Sequence, residues 1–180
     1  MNLKIIAGLG NPSQSYRTSR HNVGSQFVDY LANQQKIKFE KKDNLSSLIA
    51  KTQINGCEVL ILKPLVFMND SGLAISKTLK FFKLKSTDLL VVQDDSDLIF
   101  RTLKLVRDRN SAGHHGIESI INNLKTKDFY RLRIGIRDKN SKAKAEKFVL
   151  NNFTNEETEI LEKEIFPKAL EIINNWLKIT

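Results

Sequence analysis

The chain has 180 residues, of which 41% are hydrophobic and 27% charged. This composition is typical of a globular protein, is long enough for one domain with a substantial core, and excludes collagen-like and disordered chains. Its 29 Lys and Arg residues outnumber its 20 Asp and Glu residues, so the formal net charge is +9. A basic protein of this kind has either a polyanionic partner, such as nucleic acid, or a lysine-rich solvated surface.

The sequence predicts neither a membrane span nor a secretory signal. No window approaches the roughly 18 consecutive apolar residues that cross a bilayer. The apolar run in the opening segment MNLKIIAGLGNP is too short for the core of a signal peptide. The single cysteine, Cys57, cannot form an intramolecular disulfide. We therefore expect a cytoplasmic protein without membrane contact.

Short apolar runs bounded by turn residues predict strands, and apolar residues three or four positions apart predict helices. The first strand is predicted at Leu3–Leu9, and a helix follows from Asn22. Asn55-Gly56 is a strong hairpin sequence, and it joins two predicted strands. The elements after the first helix are, in chain order, strands at Ile49–Ile54 and Glu58–Lys63, a helix from about Asp70 to Phe82, strands at Asp88–Gln93 and Thr102–Val106, a helix at His114–Leu124, a strand at Tyr130–Arg137 and a long C-terminal helix.

The last two elements carry additional patterns. In the strand 130–137, apolar residues alternate with arginines, which predicts one buried face and one wet face. The wet face would carry Arg131, Arg133 and Arg137. In the C-terminal helix, Thr154 and Glu157 form a capping box at the start, and Pro167 predicts a kink.

Alternating strands and helices predict an α/β fold. We expect a single domain over residues 1–180, built on a twisted, mixed and mainly parallel sheet flanked by helices. The antiparallel hairpin would lie at one side of the sheet. In open sheets of this class, ligands bind at the carboxyl ends of the strands. Several polar side chains are predicted at this edge: Asn11, His21, Asn69, Asp94, His114 and His115.

His21 is the leading candidate for a general base. It precedes a predicted helix, whose positive N-terminal end favours a neutral imidazole. Asp94 could accept the other ring N–H and fix the tautomer, while Asn11 and Asn69 could donate to a developing oxyanion. Each residue also has a structural alternative. His21 could cap the helix or lie at the surface, Asn11 and Asp94 could belong to turns, and Asn69 could be an N-cap.

Other chemistries lack their motifs. No His-Glu-x-x-His pattern and no cysteine pair is present, so we expect no metal site. Gly8 and Gly10 begin a dinucleotide-binding pattern, but Ser13 replaces its third glycine and Pro12 interrupts the turn. This weakens the case for a nucleotide-dependent oxidoreductase. Ser71 lacks the strand–turn context of a catalytic serine.

Six segments, taken together and in order, resemble those of the bacterial peptidyl-tRNA hydrolases. They are GLGNP at 8–12 with Tyr16, RHNVG at 20–24, KPLVFMNDSG at 63–72, VVQDDSDL at 91–98, SAGHHGIESII at 111–121 and FYRLRIGIR at 129–137. The resemblance implies a monomeric α/β protein that needs no cofactor. It also implies that the protein cleaves the ester between a peptide and the ribose of tRNA, which recycles tRNA from prematurely released peptidyl-tRNA.

The same resemblance implies roles for individual residues. His21 corresponds to the catalytic base and Asp94 to its orienting partner. The substrate-binding positions are Asn11, Tyr16, Met68, Asn69, His114, His115 and Arg133, the last of them toward tRNA phosphate. The arginine face of the strand 130–137 and the basic stretch 137–147 are expected to hold further phosphates.

The sequence departs from the family pattern at three positions. Ser13 replaces a glycine, Ser19 replaces a threonine, and His115 replaces the usual asparagine, which leaves the role of His115 open. A non-catalytic RNA-binding relative, similar to plant organelle splicing factors, is the main alternative function. The presence of Asn11, His21, Asn69 and Asp94 favours the enzyme.

Overall fold

The structure is a computed structural model that describes residues 3–138 and 148–179. Within these residues, seven strands form one sheet. They are β1 (Leu3–Gly8), β2 (Glu40–Lys42), β3 (Ser47–Ile54), β4 (Cys57–Pro64), β5 (Leu89–Ile99), β6 (Leu103–Arg107) and β7 (Tyr130–Arg137). The α-helices are α1 (Val23–Gln34), α2 (Ser71–Phe82), α3 (His115–Leu124), α4 (Asn155–Ile160) and α5 (Phe166–Ile179). No helix in the described ranges is long and apolar enough to cross a bilayer.

The strand order is β2-β3-β4-β1-β5-β7-β6. The four central strands, β4, β1, β5 and β7, pair in parallel. This confirms the predicted α/β fold with a mixed sheet. The predicted antiparallel hairpin is present as β3 and β4. A further antiparallel pairing, of β6 with β7 at the other edge, was not predicted from the sequence. The tight turn after β5, in which Arg101 has a φ of 74°, reverses the chain, and β7 then inserts between β5 and β6.

The sheet separates two apolar layers. Alternate residues of the central strands face opposite sides, as the period of two requires. Ile6 of β1 and Val92 of β5 pack with α1 and α5, in a layer that includes the fully buried Trp176. Ile5 of β1 and Val91 of β5 pack with α2 and α3 on the other face. The core is therefore formed by helices on both sides of one sheet.

Two glycines let α1 approach the carboxyl edge of the sheet. A Cβ atom on Gly24 would lie 2.1 Å from the carbonyl oxygen of Val92, and one on Gly8 would lie 2.3 Å from the carbonyl oxygen of Gly24. Both distances are far below any real carbon–oxygen contact. The start of α1 is thus held between the ends of β1 and β5, directly after residues 20–22.

The C-terminal helical region differs from the single kinked helix that the sequence predicts. The capping box is present, since the Thr154 side chain accepts from the Glu157 N–H and the Glu157 side chain accepts from the Thr154 N–H. One π-helical turn, Leu161–Ile165, then separates α4 from α5. Pro167 lies just after it and has no N–H for an α-helical bond, so the irregularity occurs where the proline was expected to disturb the helix.

Candidate active site

Segments from six parts of the chain meet at the carboxyl edge of the sheet and line a cavity of about 660 Å³. Most of these segments follow a strand or precede a helix, and one belongs to the second half of β5, so side chains that are distant in the sequence converge at this edge. The cavity walls include Asn11 after β1, His21 before α1, Met68 and Asn69 before α2, Asp94 in β5, and His114 and His115 at the start of α3.

His21 and Asp94 form a buried pair. The His21 Nδ1 atom lies 2.8 Å from Asp94 Oδ1, and the residues are 9% and 1% exposed. Because a carboxylate only accepts, Nδ1 carries the proton, and neutral His21 has its lone pair on Nε2. Among the described residues, Nε2 has no hydrogen-bond partner. This geometry suits a general base and leaves no support for a surface or capping role.

His114 binds the same carboxylate oxygen. Its Nε2 atom lies 2.9 Å from Asp94 Oδ1, and its Nδ1 accepts the backbone N–H of Ile117 at 3.3 Å. The backbone donor assigns the tautomer, because Nδ1 must be the acceptor and Nε2 therefore carries the proton. Both ring nitrogens of His114 are thus occupied within the protein. His114 therefore has no ring nitrogen left to bind a ligand in this arrangement.

The two imidazoles keep Asp94 ionised. Burial alone would raise the pKa of the Asp94 carboxyl, but electrostatic attraction and hydrogen bonds from His114 and His21 outweigh burial. The pKa of Asp94 therefore lies well below its usual range. A carboxylate at this point holds His21 in one orientation, and its charge is placed to stabilise a protonated imidazole.

The cluster also has the composition of a metal site. Ligand atoms of His21, Asp94 and His114 all lie within 4.8 Å of one another. The sequence showed no such pattern, because the two histidines are 93 positions apart and only the fold brings them together. The two nitrogens that face Asp94, His21 Nδ1 and His114 Nε2, carry the protons that they donate to it, so metal ligation through these two atoms would require other tautomers. The geometry is that of a hydrogen-bonded triad.

Asn11 is held so that its amide N–H₂ remains available. Its Oδ1 accepts the backbone N–H of Met68 at 2.8 Å. Its own backbone N–H and C=O bind the side chain of Asn22, each at 2.9 Å. The contact of Oδ1 fixes the orientation of the amide, and Nδ2 makes no hydrogen bond to the described residues, so it can donate into the cavity.

Asn69 is exposed in the 3₁₀ turn Met68–Asp70, beside the buried Met68. The N-cap position of α2 is occupied by Asp70, so the alternative of Asn69 as an N-cap was wrong. Within the described ranges, the Asn69 side chain makes no hydrogen bond, and its amide can turn toward a substrate.

His115 and Tyr16 are not part of the triad. His115 is the exposed first residue of α3 and lines the cavity. Tyr16 is half-buried in the 3₁₀ turn Gln14–Tyr16 and does not line the cavity. The structure thus brings His115, but not Tyr16, to the candidate site.

The arginines of β7 do not form the wet face that the alternation predicts. Arg131 is 3% exposed and donates to the carbonyl of Asn110 at 3.0 Å. Arg133 forms an ion pair with Asp95, and the Nε of Arg137 donates to the carbonyl of Ser96. The prediction was wrong for Arg131 because the loop before α3 and the end of β5 cover this face. Of the predicted basic stretch 137–147, residues 139–147 lie outside the described residues.

Sequence reasoning missed three features of the site. Phe67, 59% exposed, and Leu150, 48% exposed, are apolar groups at the cavity rim. Arg20, which precedes the candidate base, is 7% exposed and pairs with Glu157. The exposed apolar residues have no distinctive pattern in the sequence, and the Arg20–Glu157 pair joins positions 137 residues apart.

Comparisons with known proteins give a consistent result. The family described as peptidyl-tRNA hydrolase matches residues 5–180. The peptidyl-tRNA hydrolase of Mycoplasma capricolum subsp. capricolum is 43% identical over 175 residues, which cover 97% of this chain and 92% of that protein. The peptidyl-tRNA hydrolase of Desulfitobacterium hafniense is 40% identical over 176 residues, which cover 98% of this chain and 94% of that protein.

Solved structures match as well. The crystal structure of peptidyl-tRNA hydrolase from Acinetobacter baumannii has a TM-score of 0.84 at 28% identity, covering 99% of this chain and 88% of that chain. A crystal structure of peptidyl-tRNA hydrolase in complex with N-propanol has a TM-score of 0.81 at 28% identity, covering 96% of this chain and 95% of that chain. A 5′-methylthioadenosine nucleosidase from Arabidopsis thaliana, at 8% identity and a TM-score of 0.56, shares the fold alone.

Proposed function

The chain belongs to the peptidyl-tRNA hydrolase family and hydrolyses peptidyl-tRNA, and we propose that His21 is the general base of this reaction. The observation that carries the proposal is the Nδ1–Oδ1 contact of 2.8 Å between His21 and Asp94. This contact places the proton of neutral His21 on Nδ1. The basic Nε2 atom of His21, which lines the cavity, then has no protein partner among the described residues.

In the proposed mechanism, His21 Nε2 removes a proton from a water molecule. The resulting hydroxide attacks the ester carbonyl carbon, and the carbonyl oxygen becomes an oxyanion. When this intermediate collapses, the bond between the carbonyl carbon and the ribose oxygen breaks. The His21 imidazolium returns its proton to the ribose oxygen, which releases tRNA and the peptide acid. Asp94 stabilises the imidazolium while it exists.

The oxyanion needs donors that are in place before it forms. Asn11 fits this requirement best, because Met68 and Asn22 hold it while its Nδ2 stays free. Asn69 would be a second donor, from the exposed turn next to Met68. Met68 would contact the substrate with its thioether, and His115 would bind it at the edge of the cavity, whereas Tyr16 would contact only a part of the substrate that extends beyond the cavity.

His114 would act mainly through Asp94. Because its two ring nitrogens are bound to Asp94 and Ile117, it completes the surroundings of the carboxylate and offers its ring to the substrate. Arg133 would contribute tRNA affinity by exchanging part of its ion pair with Asp95 for a phosphate. We propose that the protein is a cytoplasmic, single-domain monomer and that this chemistry requires no cofactor and no metal.

The alternative, a non-catalytic RNA-binding relative, makes a different prediction for one experiment. The protein is incubated with an N-blocked aminoacyl-tRNA, without added cofactor, and ester cleavage and tRNA binding are both followed. The proposal predicts cleavage that depends on enzyme concentration. Binding without cleavage would support the RNA-binding alternative and contradict the catalytic role of His21.

A further inference from the structure

Arg20 lies next to the candidate base but points away from the cavity. Its side chain is buried between two aromatic rings, with the guanidinium carbon 4.7 Å from the Phe148 ring centre and 4.8 Å from the Phe153 ring centre. Its Nη2 lies 2.8 Å from both carboxylate oxygens of Glu157, and its Nη1 donates to the carbonyl of Ile136 at 3.3 Å. A planar guanidinium can stack and donate in this way, whereas a lysine ammonium cannot.

The backbone around Arg20 is bound to the same segment. The N–H of Arg20 donates to Asn151 at 2.9 Å, and the N–H of His21 donates to Val149 at 2.8 Å. Ser19 forms a β-bridge with Asn152. Val149 and Leu150 line the cavity, so the segment that holds the base is also a wall of the candidate site.

From these contacts we propose that Arg20 is a positioning residue for the reaction, acting through Glu157. The pair would fix the start of α4, the wall formed by Val149 and Leu150, and the backbone of His21 relative to one another. The direction of His21 Nε2 would then depend on an ion pair outside the cavity. This inference rests on the proposed function, because it assumes that His21 is the base.

The substitution that tests it is Glu157→Gln. Both carboxylate oxygens are in use, since Oε1 and Oε2 accept from Arg20 and Oε2 also accepts from the Thr154 N–H. In glutamine, an NH₂ group replaces one of the two oxygens. At least one N–H donor, from Arg20 or from Thr154, then faces another donor and loses its hydrogen bond. A displacement of about 1 Å at a reacting group can cost up to about a hundredfold in rate. We expect kcat to fall between about tenfold and a hundredfold, with a smaller change in KM.

Two control variants separate positioning from stability. Thr154→Ala removes the helix cap, because the Thr154 hydroxyl accepts from Glu157 N, but it leaves Arg20 and Glu157 paired. It should lower the Tm without lowering kcat. Glu164→Gln breaks an exposed ion pair with Arg101 in the same helical region and should change neither Tm nor kcat. Arg20→Lys should reproduce the effect of Glu157→Gln.

One readout does not depend on activity. The ring N–H protons of His21 and His114 both point at Asp94 Oδ1, so in a nitrogen-15 histidine NMR spectrum His114 serves as an internal reference. In Glu157→Gln, the His21 Nδ1–H should exchange faster with solvent while the His114 Nε2–H does not.

A loss of kcat in Glu157→Gln that exceeds that of both controls, together with faster exchange at His21, supports the inference. Unchanged kcat and exchange, or losses in Glu157→Gln and Thr154→Ala that follow the Tm, overturn it. An inactive wild-type protein whose His21 exchange still responds to Glu157→Gln would refute the proposed function while leaving the structural coupling in place.

Discussion

Replacing Asp94 with asparagine removes one negative charge from the centre of the candidate site and changes little in shape. The carboxylate is 1% exposed and accepts two imidazole N–H groups at 2.8 and 2.9 Å. When His21 takes a proton, its charge lies about 4 Å from the carboxylate, and with an effective dielectric constant of about 20 the attraction is about 4 kcal/mol. Because each ~1.4 kcal/mol in the barrier changes the rate about tenfold, losing this attraction lowers kcat by about three orders of magnitude.

The assay is single-turnover cleavage of an N-blocked aminoacyl-tRNA by wild type and Asp94→Asn, with tRNA binding measured alongside. We expect binding to change little, because Asp94 faces the histidines. A loss of less than about tenfold in kcat, in a variant that retains the wild-type fold, would refute the argument that the carboxylate stabilises an imidazolium.

The same variant has a predictable acid stability. His114 and His21 lower the folded-state pKa of Asp94, whereas an unfolded aspartate titrates near pH 4. Ionised Asp94 therefore contributes stability that is complete above about pH 4 and is lost as the pH falls through the lower folded-state pKa. In urea titrations from pH 7 to pH 2.5, the wild type should lose part of this contribution below about pH 4, and Asp94→Asn should not. Parallel curves for the two proteins would contradict the lowered pKa.

Further substitutions test the remaining walls of the site. Asn11→Asp keeps the acceptor for Met68 N–H but removes the Nδ2 donor, and it should cost about 10²–10³ in kcat; a near-normal kcat would exclude Asn11 as an oxyanion donor. Arg133→Ala should raise KM for tRNA substrates and reduce the salt dependence of binding by about one phosphate contact; an unchanged salt slope would leave Arg133 as a partner of Asp95 only. His115→Asn should keep most of the activity and His115→Ala should raise KM, so identical KM values would leave His115 without a role.

The fold was largely predictable because its signals are local. The apolar runs of β1 and β5, the Asn55-Gly56 turn and the Thr154–Glu157 cap each specify an element within a few residues, and all are present. The antiparallel pairing of β6 with β7 was missed because it depends on the insertion of β7 between two earlier strands, which no local pattern encodes.

The candidate site was predictable in part. His21, Asp94 and Asn11 come at strand ends and helix starts, where ligands bind in this fold class, and they meet at the cavity. The shared use of one Asp94 oxygen by His21 and His114 could not be foreseen, because it depends on the tautomer that Ile117 imposes. The burial of Arg131 was also missed, since strand alternation cannot show that a loop covers one face.

The measurement that tests the central claim most directly compares wild type with His21→Ala. Cleavage of N-blocked aminoacyl-tRNA, tRNA affinity and Tm are measured for both proteins under the same conditions. The account predicts that His21→Ala loses at least about 10²-fold in kcat, while tRNA affinity and Tm stay close to those of the wild type. Near-normal turnover by the folded variant would contradict the assignment of His21 as the general base.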